Sequence, residues 1–230
     1  DRGGTEIDLV AVNEEWKRIR FGSFKRSADE LVGDVPVFDG HVARFLESCR
    51  YARLKCPLDF QGLRKKTLEL VRHNATLIPP EQDLAVVWFI TPGEYRVYAG
   101  AAGAPGDLAP TFCAHTFPLP FQVFRPNFTQ GVHVVTPSIR HVPPQCVDPK
   151  IKHRSRMHWW LADQEAHLVD PKAVALLLDL DGNVTETGGS NFLIARRNTV
   201  FQPSPRNILA GVSQQTVREF RMTDSVGRKI

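Results

Sequence analysis

The spacing of apolar and polar residues changes period several times along the chain, and each change marks an element. From His41 the period is helical: Val42, Phe45, Leu46, Cys49 and Ala52 recur on one face, with Arg44, Glu47, Arg50 and Arg53 elsewhere. Pro57 ends that run. A second amphipathic helix follows from Asp59 as N-cap through Leu63, Leu68, Leu70 and Val71, fading at His73-Asn74. Just upstream, Val35 to Phe38 reads as a short strand closing in an Asp39-Gly40 turn. Pro36, which has no N–H for a ladder, puts that strand at an edge or a strand start. Leu84 to Ile90 is a continuous apolar run with two valines, Trp88 and Phe89, the pattern of a buried strand; Pro92-Gly93 turns it and Tyr95 to Tyr98 returns.

Gly100 to Pro110, rich in Gly, Ala and Pro, reads as a loop or hinge. Beyond it lie a strand near Phe112 to Phe117 and short strands at Phe121–Phe124 and Val132–Val135. A helix then opens at Ser155 and carries Met157, Trp160, Leu161 and Ala166. The last section is strand-rich. Ala173 to Leu180 runs into an Asp181-Gly182 turn and a return strand at Asn183 to Thr185. Phe192–Ala195 and Thr199–Phe201 form a second hairpin, and Gly211 to Phe220 a final helix. Helices and strands mixed in this order give an α+β class. The expected division is a small N-terminal α+β domain over residues 1–118 and a larger strand-rich domain over 119–230.

Composition narrows the function classes. The 230 residues are 42% hydrophobic and 23% charged, ordinary for a chain that buries a core, and the net charge is only +4. Lys and Arg are scattered, densest at Lys65-Lys66 and from Lys152 to Arg156, rather than gathered into a nucleic-acid-binding face. A small anion such as a phosphate suits that balance. The four cysteines show no CxxC pair and no zinc spacing with histidine, so no metal site is expected; Cys49 and Cys56, a heptad apart on one helix, read as buried thiols. No apolar run approaches the ~20 residues of a membrane helix. The opening Asp1-Arg2-Gly3-Gly4 has no leader pattern and no initiating Met, which points to a cytoplasmic protein with its first residues missing.

Four segments, taken in order, carry more than composition does. They are His41-Val42-Ala43-Arg44; Ile151-Lys152-His153-Arg154-Ser155-Arg156 running into Leu161-Ala162-Asp163; Asp181-Gly182-Asn183-Val184-Thr185-Glu186 with Ser190-Asn191-Phe192; and Leu209-Ala210-Gly211-Val212-Ser213. In this order and spacing they resemble the fold type IV pyridoxal-phosphate enzymes, the class IV aminotransferases, which include branched-chain and D-amino-acid aminotransferases and aminodeoxychorismate lyases. The resemblance spans Asp39 to Phe220. It implies a two-domain α+β fold with a small α/β domain and a larger, strand-rich pseudo-barrel. It also implies pyridoxal 5'-phosphate as cofactor and a homodimer in which the neighbouring subunit completes the site.

On that resemblance Lys152 is the Schiff-base lysine, Arg44 grips the cofactor phosphate and Glu186 meets the pyridine nitrogen. Leu209 packs on the ring, while Val212 and Ser213 receive the phosphate. Each role makes physical sense. A lysine forms an imine only when uncharged, so burial has to lower a pKa of about 10.4. A carboxylate beside the ring nitrogen keeps it protonated as an electron sink. A planar guanidinium suits a phosphate dianion, and a helix N-terminus favours an anion. Lys150 is the nearest rival to Lys152, because two residues away on a strand points the same way. Ser213 is also a plain N-cap candidate, which is compatible with phosphate binding. Arg96 and Tyr98, alternating to one face of a strand, are candidates for the substrate α-carboxylate; Trp159, Trp160 and Met157 read as core or interface.

The implied reaction moves an amino group between an amino acid, branched-chain ones among the candidates, and a 2-oxo acid. The tyrosine-x-arginine strand motif of branched-chain enzymes is not visible at Ala85-Val86-Val87, and the family continues past the last helix, so a C-terminally truncated chain is expected. A lyase of the aminodeoxychorismate type, which Ser155-Arg156 after Lys152 resembles, is the alternative within the same cofactor chemistry. A relative that keeps the fold as a binding module without catalysis is the alternative from another class.

Overall fold

The computed structural model describes residues 4–13, 18–25, 36–79, 82–93, 109–196, 199–215 and 217–218. The chain forms two compact units, one of Ala28–Pro120 and one of Asp1–Ser27 with Phe121–Ile230. The sequence reading kept residues 1–118 together. The difference has a simple cause. The opening strands β1 (Gly4–Asn13) and β2 (Arg18–Lys25) pair antiparallel, and β1 then pairs parallel with a strand near the other end of the chain, Leu9 opposite Asn191. Backbone ladders of that kind cannot be read from local periodicity.

Within the unit Ala28–Pro120, α1 (Pro36–Tyr51) replaces the strand expected over Val35–Phe38. Proline lacks the N–H that a helix's first residue leaves unpaired, and its fixed φ suits that position, so Pro36 opens a helix here instead of interrupting a sheet. The second helix, α2 (Phe60–Ala75), starts where expected: Asp59 Oδ1 accepts from the Gly62 N–H at 2.7 Å. Arg64 Nε donates to Asp39 Oδ1 at 3.0 Å, tying α2 to α1. Both helices belong with the antiparallel pair β3 (Leu84–Thr91) and β4 (Thr111–Pro118), so the strand near Phe112 falls in this unit. β3 is half-buried along most of its length rather than fully buried. Trp88 Nε1 donates to Thr67 Oγ1 at 3.0 Å, and Thr67 in turn donates to the Leu63 carbonyl. The rings of Phe45, Trp88 and Phe112 meet edge to face with centroids 5.8 and 5.9 Å apart. The return strand expected over Tyr95–Tyr98, with Arg96 and Tyr98, lies outside the described residues.

The other unit is built on a seven-stranded sheet. The segment Phe121–Phe124, expected as a strand, is a single helical turn, α3, followed by a second, α4 (Asn127–Gln130). The short β5 (Val134–Val135) runs parallel to the later strand β6 (Val174–Leu178). Between them in sequence lies α5 (Met157–His167). The chain then continues through β7 (Val184–Thr187), β8 (Asn191–Arg196) and β9 (Thr199–Phe201). The sheet order is β2-β1-β8-β7-β6-β5, with β9 also on β8.

The continuous apolar run of β6 has a structural reason: both of its faces are covered. Ala175 and Leu177 pack with Ala173 against Trp159, Ala162 and Ala166 of α5, whereas Leu176 packs with Phe192 and, around them, Val134, Val184 and Ile194. Alanines on both sides allow α5 to lie close to the strand. The buried stripe of α5 is therefore Trp159, Ala162 and Ala166, while Met157, Trp160 and Leu161 are exposed. The heavier residues had suggested a different face. Helix geometry gives the period, but only the partner decides which stripe is covered.

Asp179 closes the β6–β7 hairpin, with Gly182 in the left-handed region at φ 86°. Its Oδ1 accepts from the N–H groups of Asp181 and Asn183 at 3.0 and 2.8 Å, and its Oδ2 from Asn207 Nδ2 at 2.8 Å. Burial alone would raise this carboxyl's pKa, but the bonds from Asn183, Asp181 and Asn207 outweigh it and hold the pKa below the usual range. Replacing Asp179 with Ala is expected to cost about 1 to 2 kcal/mol by removing the bonds it accepts from Asp181, Asn183 and Asn207, measured by urea unfolding. Because the folded-state pKa is the lower one, Asp179 contributes fully above the ordinary carboxyl pKa, and its contribution fades as pH falls through the folded value. The acid limb of the stability profile should be shallower in the Ala variant.

Candidate active site

The site is assembled around Glu186, whose side chain is only 13% exposed. Glu186 lies opposite Asn191 in the β7–β8 ladder. Asn191 Nδ2 donates to Glu186 Oε2 at 3.0 Å, and the Leu209 N–H approaches both carboxylate oxygens at 3.3 and 3.4 Å. Asn191 Nδ2 also donates to the Leu209 carbonyl at 3.0 Å. The structure thus joins Glu186 and Leu209, two of the expected cofactor residues, through a third residue to which the sequence had given no role.

Val212 and Ser213 follow directly, both buried. Residues 212–215 are helical and the Gln215 N–H donates to the Gly211 carbonyl at 3.0 Å. Gly211 is therefore the cap, and Ser213 sits inside the first turn rather than capping it. N–H groups of a helix's first turn have no acceptor within the helix. Beside them the buried Gln214 carries an Nε2 with no hydrogen-bond partner among the described residues.

The wall facing Glu186 comes from two chain segments. The stretch before the lysine is held along β6 by an isolated parallel bridge between Arg140 and Leu178, and by a His141 N–H to Leu178 carbonyl bond of 2.9 Å. His141 donates Nδ1–H to the Val142 carbonyl at 3.1 Å and brings Nε2 to 3.5 Å from Glu186 Oε1. The start of α5 adds His158, Trp159 and Arg156. The His141 ring meets His158 and Trp159 nearly edge-on at 5.7 and 5.5 Å, and the Arg156 guanidinium lies over the Trp159 ring at 5.4 Å. Arg156 also donates to the Gly188 carbonyl. Burial, and beyond it the positive charge of Arg154, lowers the Arg156 pKa against the opposing pull of Glu186 and Asp163. Burial likewise lowers the His153 pKa, with Arg156 and His141 adding to it. Nothing in the sequence marked His141: its place comes from the bridge to β6.

Lys152 sits between these two segments, at the corner of a tight turn in which the His153 N–H donates to the Ile151 carbonyl at 2.9 Å. It is exposed. The chain around it is not a strand: the Lys150 N–H bonds Asp148 Oδ1 at 2.9 Å and the Ile151 N–H bonds the Asp148 carbonyl at 3.0 Å. The two-residue periodicity that made Lys150 an equivalent rival therefore does not apply. Arg44 belongs to the other unit, where it is half-buried and donates to His41 Nδ1 at 3.2 Å. Beyond the Glu186 cluster, an open cleft of ≈ 380 Å³ is lined by Arg156, Trp159, Trp160, Asp163 and the Gly188-Gly189 turn. Among the described residues no group of three His, Cys, Asp or Glu side chains is placed to hold a metal ion, and no helix is long and apolar enough to cross a membrane.

The architecture matches solved structures of fold type IV. A branched-chain aminotransferase from the archaeon Thermoproteus uzoniensis, solved with norvaline, aligns at a TM-score of 0.66 and 23% identity, over 80% of this chain and 59% of that one. The enzyme of the same description from Thermobaculum terrenum, in its pyridoxal-phosphate form, aligns at 0.68 and 18% identity over 95% of this chain and 61% of that one. An aminotransferase from Brucella abortus bound to the same cofactor aligns at 0.67 and 23% identity, over 82% and 64%. Residues 32–223 match the family model for amino-transferase class IV, and the chain belongs to that family. In sequence it is 33% identical, over 90 residues, to branched-chain-amino-acid aminotransferase-like protein 1 of Arabidopsis thaliana, a match covering 39% of this chain and 16% of that protein. The chain thus spans about three-fifths of the length of these solved structures and a smaller part of the plant relative.

The histidine cluster has a measurable consequence. Burial is the largest influence on His158 and, with His141, Arg156 and His153 nearby, lowers its pKa from 6.5 to about 4. An unfolded chain takes up this proton near pH 6.5 and the folded one only near pH 4. Stability is therefore expected to fall as pH drops through that window and to level off below it. Thermal unfolding of wild type and His158→Phe across pH 4 to 7 checks this; a slope unchanged in the variant would refute the assignment.

Proposed function

We propose that this chain is the greater part of a pyridoxal-phosphate-dependent aminotransferase that moves an amino group between an amino acid and a 2-oxo acid, with Lys152 as the covalent anchor for the cofactor. The observation that carries the reading is the closed contact of Glu186, Asn191 and Leu209, leading straight into the turn at Gly211, Val212 and Ser213. It puts a fixed, half-buried carboxylate on one side and a helix start on the other. A flat heterocycle with a ring nitrogen and a phosphate arm needs both. The partnerless Nε2 of the buried Gln214 fits an anion at that helix start.

When bound, pyridoxal phosphate supplies an aldehyde carbon that carries the amino group and a ring that takes up electrons from the substrate α-carbon. The chain's own residues do the rest. The Lys152 amine would hold the aldehyde and would be the group placed to take the proton from the α-carbon. The Glu186 carboxylate, oriented by Asn191 and Leu209, holds a proton on the ring nitrogen. Val212 and Ser213 present N–H groups to the phosphate, and the Leu209 side chain packs on the ring. Arg44 as a phosphate ligand, and Arg96 and Tyr98 as ligands of the substrate carboxylate, rest on the sequence alone. So does the homodimer, and so does the cytoplasmic location, which the free thiols of Cys49, Cys56, Cys113 and Cys146 suit. Branched-chain amino acids are the substrate class to try first, because they stand in the names of the relatives.

Lys152 is exposed in the chain by itself. Its amine has to lose a proton at neutral pH, so the bound cofactor, the rest of the site or a second subunit has to shield it. The test is borohydride reduction with pyridoxal phosphate followed by peptide mapping. The label is expected on Lys152 and absent from Lys152→Ala, whose turnover should fall by about a thousandfold or more. Glu186→Gln should lower turnover by about a hundredfold while leaving the label in place. Formation of a new amino acid only when a 2-oxo acid acceptor is present marks transfer. Pyruvate release without an acceptor would mark a lyase and overturn the proposed reaction.

A further inference from the structure

Asn191 opens β8 and is only 7% exposed. Its Nδ2 uses both hydrogens, one on Glu186 Oε2 and one on the Leu209 carbonyl, each at 3.0 Å. The flipped amide would set Oδ1 against a carboxylate and a carbonyl, two repulsions in a buried place, so its orientation is fixed by chemistry. That orientation turns Oδ1 toward Gly211. A Cβ added to Gly211 would lie 1.8 Å from Oδ1 and 3.0 Å from Cγ of Asn191; the next neighbour, Gln214 Cβ, is an ordinary 3.5 Å away.

Glycine is not required at 211 by its backbone. The described glycines with left-handed φ are Gly93, Gly131 and Gly182. Among the described residues, what crowds a side chain at Gly211 is the Asn191 carboxamide. The Leu209 carbonyl also accepts from the Gly211 N–H at 2.9 Å, bending the chain into the helix that follows. One side chain therefore bonds Glu186 and Leu209 and abuts Gly211.

Resting on the cofactor reading above, we infer that Asn191 is a positioning residue that fixes the spacing between the carboxylate facing the cofactor ring nitrogen and the turn receiving the phosphate, and that Gly211 is the space it occupies. A planar ring and one short phosphate arm would set a narrow limit on the distance between those two ends. A site whose ends drift apart can satisfy one but not both.

Two cycles of variants test this in the full chain. In thermal unfolding, Gly211→Ala alone is expected to lower the midpoint by several degrees. The same change made on Asn191→Ala should cost almost nothing further, because the clashing atoms are gone. A Gly211→Ala change that wild type tolerates, or whose penalty persists beside Asn191→Ala, overturns the lock. In absorbance titrations with pyridoxal phosphate, Asn191→Ala should bind about tenfold or more weakly. It should also shift the pH dependence of the bound cofactor's spectrum, since Glu186 is no longer held at the ring nitrogen. On Glu186→Gln the same substitution should change binding much less. A merely structural role for Asn191 would lower the melting point without moving that pH dependence. Wild type that binds the cofactor, with Asn191→Ala binding equally well and showing the same spectrum, overturns the positioning role and leaves the functional reading standing. Wild type that does not bind pyridoxal phosphate at all defeats the functional reading, and with it the positioning role, whatever the melting cycle shows for the lock.

Discussion

The register of the β7–β8 hairpin is the constraint on which the site depends. Its turn, residues 187–190, is closed at both ends of one side chain. The Ser190 N–H donates to Thr187 Oγ1 and Thr187 Oγ1 donates to the Ser190 carbonyl, each at 3.0 Å, alongside the Thr187 N–H to Ser190 carbonyl bond of 3.0 Å. These bonds fix Glu186 opposite Asn191. A slip of one residue would send Glu186 to the face where Thr185 and Thr187 are buried and separate it from the amide that orients it.

From that register the other features follow in order. Asn191 reaches both Glu186 and the Leu209 carbonyl because it begins the strand at the point where the returning 202–211 segment passes. Asn207 on the same segment reaches Asp179 at the neighbouring hairpin, so the β6–β7 and β7–β8 hairpins are tied to one loop. Here a few polar side chains bonded to one another set the positions of loops that apolar packing leaves free. Apolar packing does the complementary task beneath them, where the alanines of α5 and β6 let a helix close on the strand and bring His158 and Arg156 to the sheet's edge.

The contrast between Glu186 and Lys152 is instructive. The carboxylate is half-buried and oriented by local contacts from its own hairpin and the next loop. Lys152 sits on a turn and is exposed. An acid can be preorganised within one unit.

The sequence by itself determined a good deal. The Asp59 cap, the Asp181-Gly182 turn, the apolar strand from Ala173 and each of the four segments between His41 and Ser213 were legible, because each is a pattern of residues near one another in the chain. Glu186 and Leu209 were named from those segments. The tertiary structure alone decided the rest: that Pro36 starts a helix, that Phe121–Phe124 is helical, that α5 buries Trp159 rather than Trp160, and that the first strand joins the last sheet. It also supplied His141 and Asn191. Their roles come from partners 45 residues away along the chain in one case and 18 in the other, Glu186 and Leu209. Local pattern encodes local geometry, whereas a contact between distant residues exists only once the chain has chosen which strands to pair.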